Sequence, residues 1–186
     1  MSYSVPGWLA FALLLFWAMG AYKRLVRLRL QGRASFAVLE GLFSQYVLLV
    51  KTNFPEINAG PSVPASSNVQ ARFYAAWTDL AVTAEQFNAA LKVAHALPPN
   101  GPTIQALRAA QDAMHLSWSR LQDLPIGLAG PALPGALQSQ WDHVALQVET
   151  ARTEFNQWVV NYNEAINQFP ALLLAYVFGF KSAQPI

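Results

Sequence analysis

Three histidines, His95, His115 and His143, are the side chains most open to acid–base or metal chemistry, and they are scattered. An acid-to-histidine spacing of three occurs at Asp112 and His115. A di-iron helical bundle needs two Glu-x-x-His pairs and further inward carboxylates, and the chain offers no such set. Cysteine is absent, which excludes disulfides, thiolate metal sites and a cysteine nucleophile. No His-Glu-x-x-His, phosphate-gripping glycine loop or Gly-x-Ser-x-Gly elbow occurs. The Gly- and Pro-rich stretch 127–135 carries no Lys or Ser to hold a phosphate. Asp142, Glu149, Arg152 and Glu154 read as a solvated helix face with local ion pairs. The expectation is a protein without catalytic residues, metal or cofactor.

The charges point to a different kind of partner. Net charge is +2, from 12 basic and 10 acidic residues. Lys23, Arg24, Arg27, Arg29 and Arg33 form one basic stretch without an acid. Because this stretch lacks interleaved aromatics and adjoins an apolar run, lipid headgroups suit it better than nucleic acid. The run, residues 5–22, has no formal charge. As a helix it is about 27 Å long, close to the roughly 30 Å of a hydrocarbon core. Pro6 fits a first helical turn, and Trp8 and Trp17 sit near opposite ends, where indoles prefer the interface. Positive charge follows the run and does not precede it, so the N-terminus is expected outside and the body in the cytoplasm. The alternative is a cleaved export signal, with Ala18 and Gly20 as small residues before Ala21. That would leave an exported or periplasmic helical ligand-binding module, but the positive region that normally opens such a signal is missing.

Something must hold this run in register with the rest, and the apolar spacing supplies it. Leu25, Leu28, Gly32, Phe36, Leu39, Phe43, Tyr46 and Val50 alternate by threes and fours, the stripe of a helix with one buried face. Nothing separates them from the apolar run, so one helix is expected from the membrane to about Thr52, ended by Asn53, Pro55, Gly60, Pro61 and Pro64. A second helix is predicted from Ser67 as N-cap, with Val69, Phe73, Ala76, Leu80, Ala84, Phe87, Leu91 and Ala94 as its seam. Pro98, Pro99, Gly101 and Pro102 stop it. A third runs from about Thr103 with Ile104, Leu107, Met114, Trp118 and Leu121 inward, until the break from Pro125 to Pro134. The fourth carries Trp141, Val144, Val148, Ala151, Phe155, Trp158, Tyr162, Ala165 and Phe169. No strand-length alternation occurs. The predicted class is all-α: an N-terminal transmembrane helix continuing into an elongated antiparallel four-helix bundle. Residues 1–22 would form the tail and membrane helix, and 23–186 the bundle, with an apolar segment at 170–180 suited to the membrane interface or to protein packing.

Two stretches carry a pattern of residue types beyond the apolar spacing. The first is Ala21-Tyr22-Lys23-Arg24-Leu25-Val26-Arg27-Leu28-Arg29, directly after the apolar helix. The second is Ala151-Arg152, Phe155-Asn156, Tyr162-Asn163, Ile166, Phe169-Pro170, Ala175 and Gly179-Phe180-Lys181. Both stretches resemble the LemA family, and the second is similar to that family's C-terminal pattern of an Arg, two aromatic-Asn pairs, a Phe-Pro and a Gly-Phe. The middle departs from the pattern, with Phe43-Ser44-Gln45-Tyr46-Val47-Leu48-Leu49-Val50 where polar and basic residues are usual. The resemblance implies a membrane-anchored helical bundle in the bacterial inner membrane, with some relatives serving in membrane organelles, and it carries over no catalytic residue. Asn156 and Asn163 lie seven apart on one face, each after a seam aromatic. They are positioned to satisfy a backbone or side-chain partner on a neighbouring helix, the other option being solvent.

Hydrophobic content of 54% with only 12% charged residues contrasts with roughly 25% charged in average domains. Lipid and further copies of the chain are the surfaces expected to cover the difference. The sequence therefore predicts a non-enzymatic scaffold or adaptor that binds membrane lipids, forms homo-oligomers and has room for a further membrane-protein partner.

Overall fold

The computed structural model describes residues 4–53, 68–96, 101–124, 133 and 135–186. Every regular element among them is helical: α1 Ser4–Asn53, α2 Asn68–Ala96, α3 Gly101–Gln122, α4 Gly135–Asn167 and α5 Ala171–Phe178. α1 is a single helix of 50 residues, roughly 75 Å at 1.5 Å per residue.

Its two parts face different surroundings. From Trp8 to Met19 the large apolar side chains described are exposed, Phe16 at 80%. From Leu25 onward the predicted stripe turns inward: Leu25, Phe36, Leu39, Phe43, Tyr46 and Val50 are buried, and Leu28 is half-buried. This helix is long and apolar enough to cross a membrane by length and composition.

α1 packs chiefly on α4 and, further along, on α2, which in turn packs on α3. Along α1 the partners in α4 descend in number: Leu28 meets Trp158, Phe36 meets Phe155, and Tyr46 meets Trp141. The partners in α2 descend too, from His95 at Glu40 to Phe87 at Phe43. α3 reaches α4 through long side chains, with Trp118 stacked on Trp141 at 4.2 Å and Gln111 joined to Arg152. Phe43, Phe87 and Phe155 are fully buried, each contributing roughly 1.5–3 kcal/mol of transfer free energy.

Four details differ from the sequence reading. In α2 the seam passes through Trp77, 2% exposed, with Ala76 only half-buried beside it. Trp77, Leu80, Ala84, Phe87, Leu91 and Ala94 keep an unbroken three-four step, so the larger ring takes the inward position. Gly101 and Pro102 begin α3 instead of ending α2, since proline's missing N–H costs nothing in a first turn. In α4 the inward position belongs to Val159, while Trp158 is half-buried on α1's flank. Phe169 lies beyond the end of α4 and is 64% exposed, because the helix stops before its turn would face the core. Ser67 and the breaks at 54–67, 97–100 and 125–132 lie outside the described residues.

Candidate functional site

The candidate site is built where α4 meets the last residues of the chain. Asn156 donates Nδ2 to the carbonyl of Ile186 at 2.8 Å, and its Oδ1 accepts the N–H of Ile186 at 2.8 Å. Asn163 repeats the pairing with Ala183, at 3.0 Å and 2.9 Å. Each amide thus satisfies both polar groups of one peptide residue. The spacing explains why two asparagines can do this. Seven helical residues rise about 10 Å, and three residues of extended chain span about 10 Å. Residues 183–186 therefore run opposite to α4 in matched register. Ala183 and Ile186 turn inward, at 7% and 5% exposed, while Lys181, Ser182, Gln184 and Pro185 stay in solvent. The asparagines' partner is thus the backbone of the chain's own C-terminal segment, not a neighbouring helix. The periodicity gave no sign of this, because that segment has no helical or strand pattern.

The segment is delivered by α5. Gly179 adopts φ +67 at the end of that helix, and the Phe180 N–H bonds back to the Ala175 carbonyl at 2.9 Å. This left-handed cap is where glycine is favoured, with the following residue closing the turn. The half-buried Phe180 ring meets Tyr22 of α1 edge-on at 6.4 Å, and the Arg29 guanidinium stands over it at 5.7 Å. Phe178 lies against Tyr22 at 5.0 Å, and Phe169 against Trp17 at 5.2 Å. These pairs hold α5 beside the last turns of the uncharged run. Ala171 and Ala175 are its buried residues, whereas Tyr176 is 91% and Val177 73% exposed. Leu172, Leu173 and Phe178 are open as well.

Trp158 ties α4 to α1 between this end and the distal core. Its Nε1 donates to the Leu28 carbonyl at 2.8 Å, and its ring lies flat on Gly32, leaving no space for a Cβ there. Tyr162 stacks on the same indole at 5.2 Å. Burial raises the Tyr162 hydroxyl above its ordinary value, partly offset by Arg29. Of the basic stretch, Lys23, Arg24, Arg27, Arg29 and Arg33 are all exposed on α1. Trp8 is 72% exposed on the first turns of α1.

Arg152 departs from the expected solvated face. It is half-buried, donating to Glu149 at 2.9 Å and across to Gln111 of α3 at 2.9 Å. Nearby, Tyr46, His115, Trp118 and Trp141 form an aromatic cluster, and burial pushes the Tyr46 hydroxyl up to about 12. Burial, and secondly the Arg152 charge, hold His115 below its ordinary value. Among the described residues no three His, Cys, Asp or Glu side chains converge as a metal site would require.

What the site does is hold an extended backbone on a helix face, and the residues that do so fall in one stretch. Residues 134–185 match the LemA family. The LemA match takes in α4, α5 and the chain up to one residue short of Ile186, so the resemblance read at 151–181 lies within it. The stretch at 21–29 lies outside it. No curated protein and no solved structure matches the chain. Within the LemA match most of the quoted residues have a packing role, while Lys181 is exposed. Arg152 links α4 to α3, Phe155 packs on Phe36, and Asn156 and Asn163 hold the segment. Tyr162 backs Trp158, Phe169 and Pro170 turn the chain into α5, and Gly179 and Phe180 close that helix.

Proposed function

We propose that the protein is a non-enzymatic scaffold anchored in the bacterial inner membrane by α1, with its body in the cytoplasm, and that it assembles with further copies of itself. The observation that carries this reading is the change of surroundings along one unbroken helix. The described large apolar side chains from Trp8 to Met19 are open, and the stripe from Leu25 to Val50 lies in the core. A rigid rod that leaves lipid and enters a protein core transmits position from the membrane to the body without a hinge. In this reading residues 1–22 are the tail and membrane helix, and 23–186 an elongated antiparallel four-helix bundle. Trp8 and Trp17 mark the two interfaces, and Lys23, Arg24, Arg27, Arg29 and Arg33 meet the headgroups. α5, with its open Leu172, Leu173, Tyr176 and Val177, lies in the inner interface beside α1, where apolar side chains are sheltered without spanning. Low charge over the body favours lateral contact between parallel copies, and a further membrane protein could use the same surface.

The test is made on the full chain in native membranes. The protein should resist alkaline extraction, a cytoplasm-dependent reporter after Ile186 should be active, and the particle in mild detergent should exceed a monomer by light scattering. Release at alkaline pH or a silent but expressed reporter overturns the anchored, cytoplasmic reading. A strictly monomeric mass overturns self-assembly. A lipid-phase quencher should strongly quench a probe at Tyr176, and a probe shielded from lipid overturns the assignment of α5.

A further inference from the structure

The Asn156–Asn163 ladder binds main chain and reads little else. Its four hydrogen bonds end on backbone groups of residues 183 and 186. Its only side-chain requirement is a small residue followed three positions later by a branched aliphatic one, Ala183 and Ile186, both buried. Such a site accepts any extended peptide of that pattern, and every copy of this chain carries one. We propose that the ladder is a peptide-binding groove that takes residues 180–186 from a neighbouring copy, so that exchanged segments link the copies of the assembly. The inference rests on the self-assembly reading above.

The joint at Gly179, the anchored reading and the reach of the segment support exchange. The segment leaves α5 through Gly179, whose left-handed φ of 67 is a joint that glycine can open at little steric cost. Parallel anchoring brings every copy's segment and groove to the same height above the membrane. Residues 180–182, between the Gly179 joint and the first seated residue, reach about 10 Å, enough for the roughly 8–10 Å between packed helix axes. In a closed ring or dimer each groove is refilled, so exchange keeps the bonds it breaks.

The absence of cysteine permits a clean test. A Cβ at Gly101, the first residue of α3, would stand 3.7 Å from Gln184 Cγ. Gly101→Cys and Gln184→Cys in one chain should therefore form a disulfide, within the chain or between exchanged copies, with copper phenanthroline as oxidant. Lack of that bond would overturn the ladder itself. Two differently tagged full chains, one with each cysteine, are then co-expressed in one membrane and oxidised, and a mixed disulfide dimer is expected on a denaturing gel. Adding Asn156→Ala and Asn163→Ala to the Gly101→Cys chain should cut the mixed dimer at least tenfold. Adding them to the Gln184→Cys chain should raise it severalfold, by freeing that chain's segment from its own groove. Ala183→Glu with Ile186→Glu in the Gln184→Cys chain, which leaves α4 untouched, should abolish the mixed dimer. Mixed dimers indifferent to these substitutions overturn the proposal. An oligomer that gives only intrachain bonds overturns exchange while leaving self-assembly standing, and a monomeric particle overturns both.

Discussion

The two ends of the body are closed by different means. Away from the uncharged run, side chains from α1, α3 and α4 seal a core in which Tyr46, His115, Trp118 and Trp141 interlock. Toward the run, α1 and α4 continue and the cover changes to α5 and an extended segment tied by asparagine amides. The distal core is apolar burial without direction, and the proximal closure is directional hydrogen bonding at set spacing. The first should resist local opening, while the second can come apart without unfolding the rest.

The largest effects should therefore come from emptying the apolar seam. Phe43 and Phe155 are fully buried against Phe87 and Phe36. Phe43→Ala or Phe155→Ala should each cost about 3–5 kcal/mol, read as a lower urea midpoint for the whole chain. A loss below about 1 kcal/mol at either site would mean that the core is looser than its burial indicates.

The proximal closure should respond locally. Asn156→Ala with Asn163→Ala removes four hydrogen bonds, each worth about 0.5–1.5 kcal/mol net. Amide exchange at Ala183 and Ile186 should quicken by about two orders of magnitude or more. The midpoint for the whole chain should move less than with Phe155→Ala. If both transitions fall together, the segment is part of the cooperative core and the contrast between the ends fails.

That contrast also separates what the sequence discloses from what it hides. The helices of α1 and α4 and their seams follow from three-four spacing, because a buried helix face leaves that period in the residue types. Ala76 and Trp77 each extend the step from Phe73, and size alone decides between them. The segment at 181–186 has no period to read. Its position depends on an equality of lengths, seven residues of helix against three of extended chain, which emerges only once both partners are known. Asn156 and Asn163 could be seen to need a partner, and a small residue and an aliphatic one three apart downstream was the available clue. The charged helix face around Arg152 predicts a solvated side chain, whereas Gln111 of α3 draws it inward.

A smaller effect tests the joint between the two ends. Gly32→Ala sets a Cβ against the Trp158 ring, an overpacking cost of about 1–3 kcal/mol. The gain in helix propensity of about 1 kcal/mol partly offsets it. The net loss should be near 1 kcal/mol by thermal or urea unfolding. Trp158→Ala should remove the clash, so the two substitutions together should cost less than the sum of their separate costs. Strict additivity would show that the indole does not rest on Gly32.

The smallest effect is a dependence on pH that belongs to the distal core. His115 touches Tyr46 and Trp141 and faces Arg152, Asp112 and Glu149. Burial first, and Arg152 second, hold its pKa below the ordinary 6.5, against the opposing pull of the two carboxylates. The unfolded chain, with the ordinary value, therefore binds more protons between the depressed pKa and about 6.5, and stability rises with pH across that window. The contribution is fully present above 6.5 and is lost as pH falls through the window, because the folded core must then hold a neutral imidazole that the unfolded chain would charge. His115→Phe keeps an aromatic ring against Tyr46 and Trp141 and removes the titration. The fall in melting temperature from pH 7.5 to 5.5 should be smaller in that variant than in the parent. An identical fall in both would assign the acid sensitivity to other groups and remove His115 from the account of the distal core.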